Sequence, residues 1–275
     1  MASYHPQGLV VRQRKLQATQ QGAWIQLGAD FDGKAAYDNF GIAVSMSSDG
    51  TILAMGGRGD RCSTLGYVRV FKYASSKWTQ LGADINGEAV DDGVGYAVSL
   101  SSDGTVLAVG AFLSGESKSG RVRVYKYANS MWTQRGADIN GKAANNYLGE
   151  SVDLSSDGTV LAVGAIYSDG NGDKSGLVQV YKYANNIWTQ MGTDINGEAA
   201  GDRSGANPSV SLSSDGTVLS VGHGGMMALM ALIVVMSGCT HMPIVSGVNS
   251  APTLMVKLLV TNQDMQCHCR AMALC

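Results

Sequence analysis

Proline is scarce, at 4 of 275 residues, charged side chains make up only 15%, and most of the chain is nearly free of cysteine. Each shortage excludes something. So little charge argues against a disordered tail, and 36 glycines without a strict third-residue period exclude collagen. A formal net charge of -2 with pI near 6.1 gives no bulk attraction to nucleic acid or to an anionic membrane. Cys62 stands alone in the first 222 residues, whereas Cys239, Cys267, Cys269 and Cys275 crowd into the last 53. A disulfide framework would spread its cysteines over the folded body. The start, MASYHPQGLVVRQRK, has no apolar stretch ahead of its charges and does not read as a secretory signal. The longest apolar run, Met226 to Met236, is about half of the ~20 residues a membrane-spanning helix needs, so no membrane insertion is expected.

What is present is repetition. Trp24, Trp78, Trp132 and Trp188 fall at intervals of 78−24=54, 132−78=54 and 188−132=56, and each opens one phrase: WIQLGADFDGKA, WTQLGADINGEA, WTQRGADINGKA, WTQMGTDINGEA. SSDGT follows in every unit, at Asp49, Asp103, Asp157 and Asp215. Repetition at this period marks stacked supersecondary units. Around Asp103-Gly104 two apolar runs read as a hairpin, since both turn residues tolerate φ > 0. GRVRVYKYANSMWTQ alternates Val122, Val124 and Tyr125 with basic residues, turns at Asn129-Ser130 and returns through Trp132. Four short strands per unit, with no helical period, predict an all-β fold of β-propeller blades. VLAVGA, apolar on both faces, suits a strand covered by blades on either side, with Ala108 and Gly110 small enough for close approach.

The units resemble FG-GAP repeats, the blade type of integrin α-chain propellers. The matching residues are Phe40-Gly41 before the first strand, Val109-Gly110-Ala111 and Val163-Gly164-Ala165, and the closing strands GYVRVFKY, GRVRVYKY and GLVQVYKY. The proline of GAP is absent. The family's calcium loop is here shortened to SSDG, with too few carboxylates to ring a cation. The resemblance implies an extracellular or cell-surface setting and a propeller of more blades than this chain supplies.

The chain divides into an N-terminal segment (1–22), in which GLVVRQRK faintly echoes GRVRVYKY, the repeats (23–222), and a tail (223–275) holding 8 of the 13 methionines. The tail reads as a shifted frame of a fifth repeat. With permissible codons read from the third base of the Met230 codon, it can spell GTDSGHVRVY and continue to WSQLGTDINGEA. Such a tail is expected to leave the fourth unit without its VRVY strand.

Candidate chemistry is thin. Asp84, Asn86 and Glu88 in DINGE, with Asp91 or Asp92 nearby, and Asp194, Asn196 and Glu198 in the last copy, present alternating oxygen ligands that could face calcium. Lys34 and Lys142 replace Glu88 and Glu198 in other copies, so a polar joining loop is the expectation and no cofactor is expected. Arg58-Gly59-Asp60 is an integrin-recognition tripeptide in the most variable loop of the repeat. Cys267-His268-Cys269 has zinc-ligand types without zinc-ligand spacing. The histidines His5, His223, His241 and His268 stand outside the blade pattern, and the carboxylates recur from unit to unit as scaffold residues do. Repeated Trp78, Tyr125 and Trp132 could stack on sugars, although their fixed place favours blade packing. The expectation is a noncatalytic repeat protein that binds a protein or glycan and self-associates through open blade edges. The alternatives are a misframed product without function as written, and an enzyme with a site in the central channel.

Overall fold

The structure is a computed structural model that describes residues 16–18, 24–59, 64–115, 117–224, 231–236 and 257–261. Every regular element among them is a strand. A two-stranded piece, β1 (Leu16–Ala18) and β2 (Trp24–Gln26), precedes four sheets. The first blade runs β3 (Ala43–Met46), β4 (Ile52–Gly57), β5 (Leu65–Ala74), β6 (Lys77–Gln80), with β7 (Ile85–Val90) also against β5. In the second, β8 (Val94–Leu100), β9 (Val106–Ala111), β10 (Arg121–Ala128) and β11 (Met131–Gln134) repeat that order, with β12 (Ile139–Asn140) against β10. The third is β13 (Leu148–Leu154), β14 (Val160–Ala165), β15 (Leu177–Ala184) and β16 (Ile187–Asn196). The fourth is β17 (Val210–Leu212), β18 (Val218–Gly222), β19 (Ala231–Met236) and β20 (Lys257–Thr261). No sheet closes on itself among the described residues, so the fold is an all-β, incomplete propeller.

Each first hairpin turns on SSDGT for a local reason. Asp103 accepts hydrogen bonds from Ser101 Oγ (2.7 Å) and from the Thr105 amide (2.9 Å), and Ser101 Oγ in turn accepts from the Val106 amide (2.9 Å). Gly104 adopts φ +68°, where a Cβ would also lie 2.7 Å from Ile52 of the preceding blade. The turns then join blade to blade, the amides of Ser48, Ser102 and Ser156 donating to the carbonyls of Ser102, Ser156 and Ser214 at 2.9, 2.9 and 2.8 Å.

The tryptophans lock the outer edges. Trp78, Trp132 and Trp188 donate from Nε1 to the carbonyls of Leu27, Leu81 and Arg135 in the preceding unit, at 2.9, 2.8 and 2.8 Å. Each indole covers a glycine (Gly28, Gly82 or Gly136) held at φ near +80°, where a Cβ would meet the ring at 2.7 to 2.9 Å. Their repeated place in the sequence is therefore blade packing, with Tyr73, Tyr127 and Tyr183 tilted against them.

β4, β9 and β14 are buried along their whole length, because a neighbouring blade covers each face. Val106, Ala108, Val122 and Val124 form one core with Val152, Leu154, Leu161 and Val163 of the next blade. At ~1.5 to 3 kcal/mol for each large aliphatic side chain removed from water, this inter-blade layer is the main source of stability. The first strands of all four blades converge on an axial cavity of about 240 Å³, lined by Ile42, Val44, Val98, Val152, Asn207 and Val210 among others.

Two expectations need correction. The DINGE segment is not simply a joining loop. Ile85 is buried, so Ile85–Val90 pairs with β5, Ile139 repeats this against β10, and β16 runs on through Ile195 to Asn196. The tail does supply a third strand to the fourth blade, since β19 lies antiparallel to β18 with Val218 opposite Val235. β20 then joins parallel to β19, which no other blade does.

Candidate functional site

Antiparallel order places the SSDG turns and the turns after β5, β10 and β15 at one end of the blades. The lead-in segments before β3, β8, β13 and β17 and the loops after β4, β9, β14 and β18 share the other. At that loop end most lead-in segments are self-contained. Asp38 accepts from the amides of Lys34 (2.7 Å) and Ala35 (3.2 Å), and Asp92 from those of Glu88 (3.1 Å) and Ala89 (3.3 Å). These are turn-closing carboxylates.

The calcium candidates are engaged by cationic side chains. Asp84 pairs with Lys34 (2.6 Å) and Arg69 (3.2 Å), and Asn86 Oδ1 accepts from Lys34 Nζ at 3.0 Å. Glu88 points instead to the next blade, onto Arg121 (3.1 Å) and Arg123 (2.6 Å). Asp194 takes Lys142 at 2.8 Å along with the amides of Gln179 and Gln190, and Asn196 packs against Gly170. Burial would raise Asp84 and Asp194, yet these hydrogen bonds and charges hold both below the usual carboxylate range. The chemistry is inter-blade ion pairing, and no group of three His, Cys, Asp or Glu side chains suits a metal among the described residues. Gly59 is buried against Thr64, its amide bound to the Asp38 carbonyl, while the Arg58 Nε is buried; Asp60, like Cys267, His268 and Cys269, lies outside the described residues.

The repeat breaks at one junction, between the third and fourth blades. Ile42 and Tyr96 have Glu150 as their counterpart, Gly93 and Tyr147 have Arg203, Val94 and Leu148 have Ser204, and Ala111 and Ala165 have His223. Glu150, at the β-bulge between Leu148 and Ser151, is 9% exposed, and its Oε2 has no hydrogen-bond partner. Desolvation pushes its carboxyl up to about 7 against the lowering pull of Arg203. Arg203 lies over Tyr167 (5.6 Å), and Tyr167, Tyr147, Phe112 and Tyr96 continue as a chain of rings at 4.9, 6.1 and 4.5 Å. Ser204 Oγ is 2.6 Å from His223 Nδ1, and Asp202 Oδ2 stands 4.0 Å from that same nitrogen. A serine triad needs hydroxyl and carboxylate on opposite ring nitrogens, and Ser204 is only 1% exposed, so this group is not one. Neighbouring blade three also carries Asp153, raised by burial despite hydrogen bonds from Leu212, Ser99 and Leu154.

Sequence reasoning weighed the carboxylates that recur and missed Glu150 and Asp153, which do not. The signal for Glu150 was available in the repeat columns, as a lone acid where isoleucine and tyrosine stand.

Stacked four-stranded sheets around an axial cavity, joined by a repeated turn and tryptophan lock, define a β-propeller-type repeat protein. Residues 140–181 match the FG-GAP repeat family. The other units share sequence phrases with that segment at intervals of 54 to 58 residues, the longest from Asp157 to Asp215. No curated protein matches the chain. Among solved structures, the fold is similar to a Bacteroides uniformis protein provisionally named a 6-phosphogluconolactonase, with TM-score 0.53 and 14% identity over 77% of this chain and 57% of that one. A Bacteroides fragilis protein given the same provisional name shows TM-score 0.48 and 16% identity over 76% of this chain and 56% of that one. The chain thus spans little more than half of these structures. The expected noncatalytic binding role is corrected here: the FG-GAP match supports a repeat domain alone, and the Bacteroides uniformis propeller, similar in fold, carries an enzyme name.

Proposed function

We propose that this propeller segment carries an acid–base site at the loop end of its third and fourth blades, acting on a small oxygen-rich molecule. The observation that carries the reading is Glu150, a nonrepeated carboxyl, buried, with one oxygen unpartnered. A carboxyl near pKa 7 can donate a proton to a leaving oxygen at neutral pH, which an ordinary glutamate cannot. His223, hydrogen-bonded to Ser204, is the complementary base in this reading, and the half-buried Tyr167, Tyr147 and Tyr96 are the rings a cyclic substrate would meet. Hydrolysis of a cyclic ester fits these parts: water adds to the carbonyl as His223 takes its proton, and Glu150 protonates the oxygen that leaves. The name of the Bacteroides uniformis propeller suggests a sugar lactone as the first probe.

The test is lactone ring opening followed at constant pH by base uptake, with glucono-lactone as probe, for the full chain and for Glu150→Gln and His223→Gln. The expected result is catalysis above the buffer rate that falls at least tenfold in both variants. A rate equal to buffer, or one unchanged by either substitution, rejects the proposal.

A further inference from the structure

The tryptophan lock leaves one lock without a key and one key without a lock. Gly192 is the counterpart of Gly28, Gly82 and Gly136 and has the same left-handed backbone, at φ +67°. Where those three each lie under an indole, a Cβ on Gly192 would meet nothing within 4 Å among the described residues. An open-sided cavity of about 620 Å³ occupies the place, lined by Lys142, Gln190, Gly192, Thr193, Asp194 and Asn196. The chain has four tryptophans and none after Trp188. At the opposite end, Trp24 is 65% exposed and Ile25 50%.

The piece that carries Trp24 already has blade geometry. Ala18 pairs with Trp24 across β1 and β2 as Tyr73 pairs with Trp78 and Tyr127 with Trp132. Gln26 bonds the Gly28 carbonyl (3.1 Å) and Asp30 (2.9 Å), as Gln190 bonds the Gly192 carbonyl (3.4 Å) and Asp194 (2.8 Å). β1 and β2 thus correspond to the third and fourth strands of a blade, and among the described residues no other strand pairs with them. β17 and β18 are the first two strands of a blade whose last two are atypical, with β20 parallel to β19.

We propose that a second copy of this chain completes the fourth blade. Its β1–β2 hairpin replaces β19 against β18, with Gln17 opposite Val218, and its Trp24 seats over Gly192 with Nε1 donating to the Met191 carbonyl. Within one chain the two ends do not meet, since Trp24 is exposed while the socket is open. The interface is head-to-tail, so it repeats from copy to copy until a ring closes or a filament grows.

Light scattering on the full chain over a hundredfold concentration range tests this, with Trp24→Ala and Gly192→Asn as variants. Asparagine tolerates φ > 0 while its side chain fills the socket. The wild type should rise from one-chain to multiple-chain mass, and each variant alone should stay at one-chain mass with its β-sheet circular dichroism intact. Mixing the two should give a dimer and nothing larger, because one supplies only the socket and the other only the tryptophan. The proposal fails if the wild type keeps one-chain mass throughout, if either variant still assembles, or if the mixture stays at one-chain mass.

Discussion

A buried carboxyl such as Glu150 ties stability to proton concentration. Its folded pKa is raised, from 4.5 to about 7, so between those values the folded state keeps a proton that the unfolded state has lost. Stability therefore falls as pH rises through this window, by roughly 3 kcal/mol at 1.36 kcal/mol per unit. Glu150→Gln should lose less melting temperature from pH 5 to 7.5 than the wild type; thermal unfolding followed by circular dichroism reads the difference. Asp103 acts in the opposite sense. Burial would raise it, but hydrogen bonds from Ser101 and Thr105 prevail and hold it low, so its contribution is present above the ordinary aspartate pKa and lost as pH falls below it. Asp103→Ala should cost about 1 to 2 kcal/mol at pH 7 and less at pH 3, as urea titrations at the two pH values would show.

The lock between blades sets the cost of changing a glycine. Gly82→Ala combines an unfavourable φ of +80° with a Cβ 2.9 Å from Trp132 Cδ1, and should destabilise by about 2 to 3 kcal/mol. Gly192→Ala at a concentration giving one-chain mass keeps only the backbone penalty, about 1 kcal/mol. Chemical denaturation of the pair separates the two contributions. Such elements were legible beforehand, because Asp-Gly turns, alternating valines and a tryptophan every 54 residues are local features that recur. The pairing of Ile85–Val90 was not. Asp84, Asn86 and Glu88 look like loop residues until Lys34, Arg121 and Arg123 from neighbouring units meet them. Glu150 and Arg203 were hidden for another reason, since agreement between repeats draws the eye away from single departures.

Across the whole molecule, burial is uneven. The second and third blades share the largest core, from Ala97 to Tyr181, whereas the fourth contributes Val210, Leu219 and Val221 to a smaller one. Stacked repeats lose structure from weakly covered ends. Amide exchange should be slowest in β9, β10, β14 and β15, faster in β17 and β18, and fastest in β1 and β2; equal protection throughout would mean one all-or-none unit.

The ion pairs between blades also alternate in sign. Lys34 reaches forward to Asp84, Glu88 to Arg121 and Arg123, and Lys142 to Asp194. Blade three answers Lys142 with Gln179 where blade two has Arg123, so a lysine carried forward one unit early would meet two arginines around Asp138. Each pair is weak at the surface, yet together they distinguish odd units from even ones. Each incoming side chain and the strand it faces therefore form a matched set: exchanging Glu88 with Lys142 would place a lysine beside Arg121 and Arg123 and a second carboxylate beside Asp194.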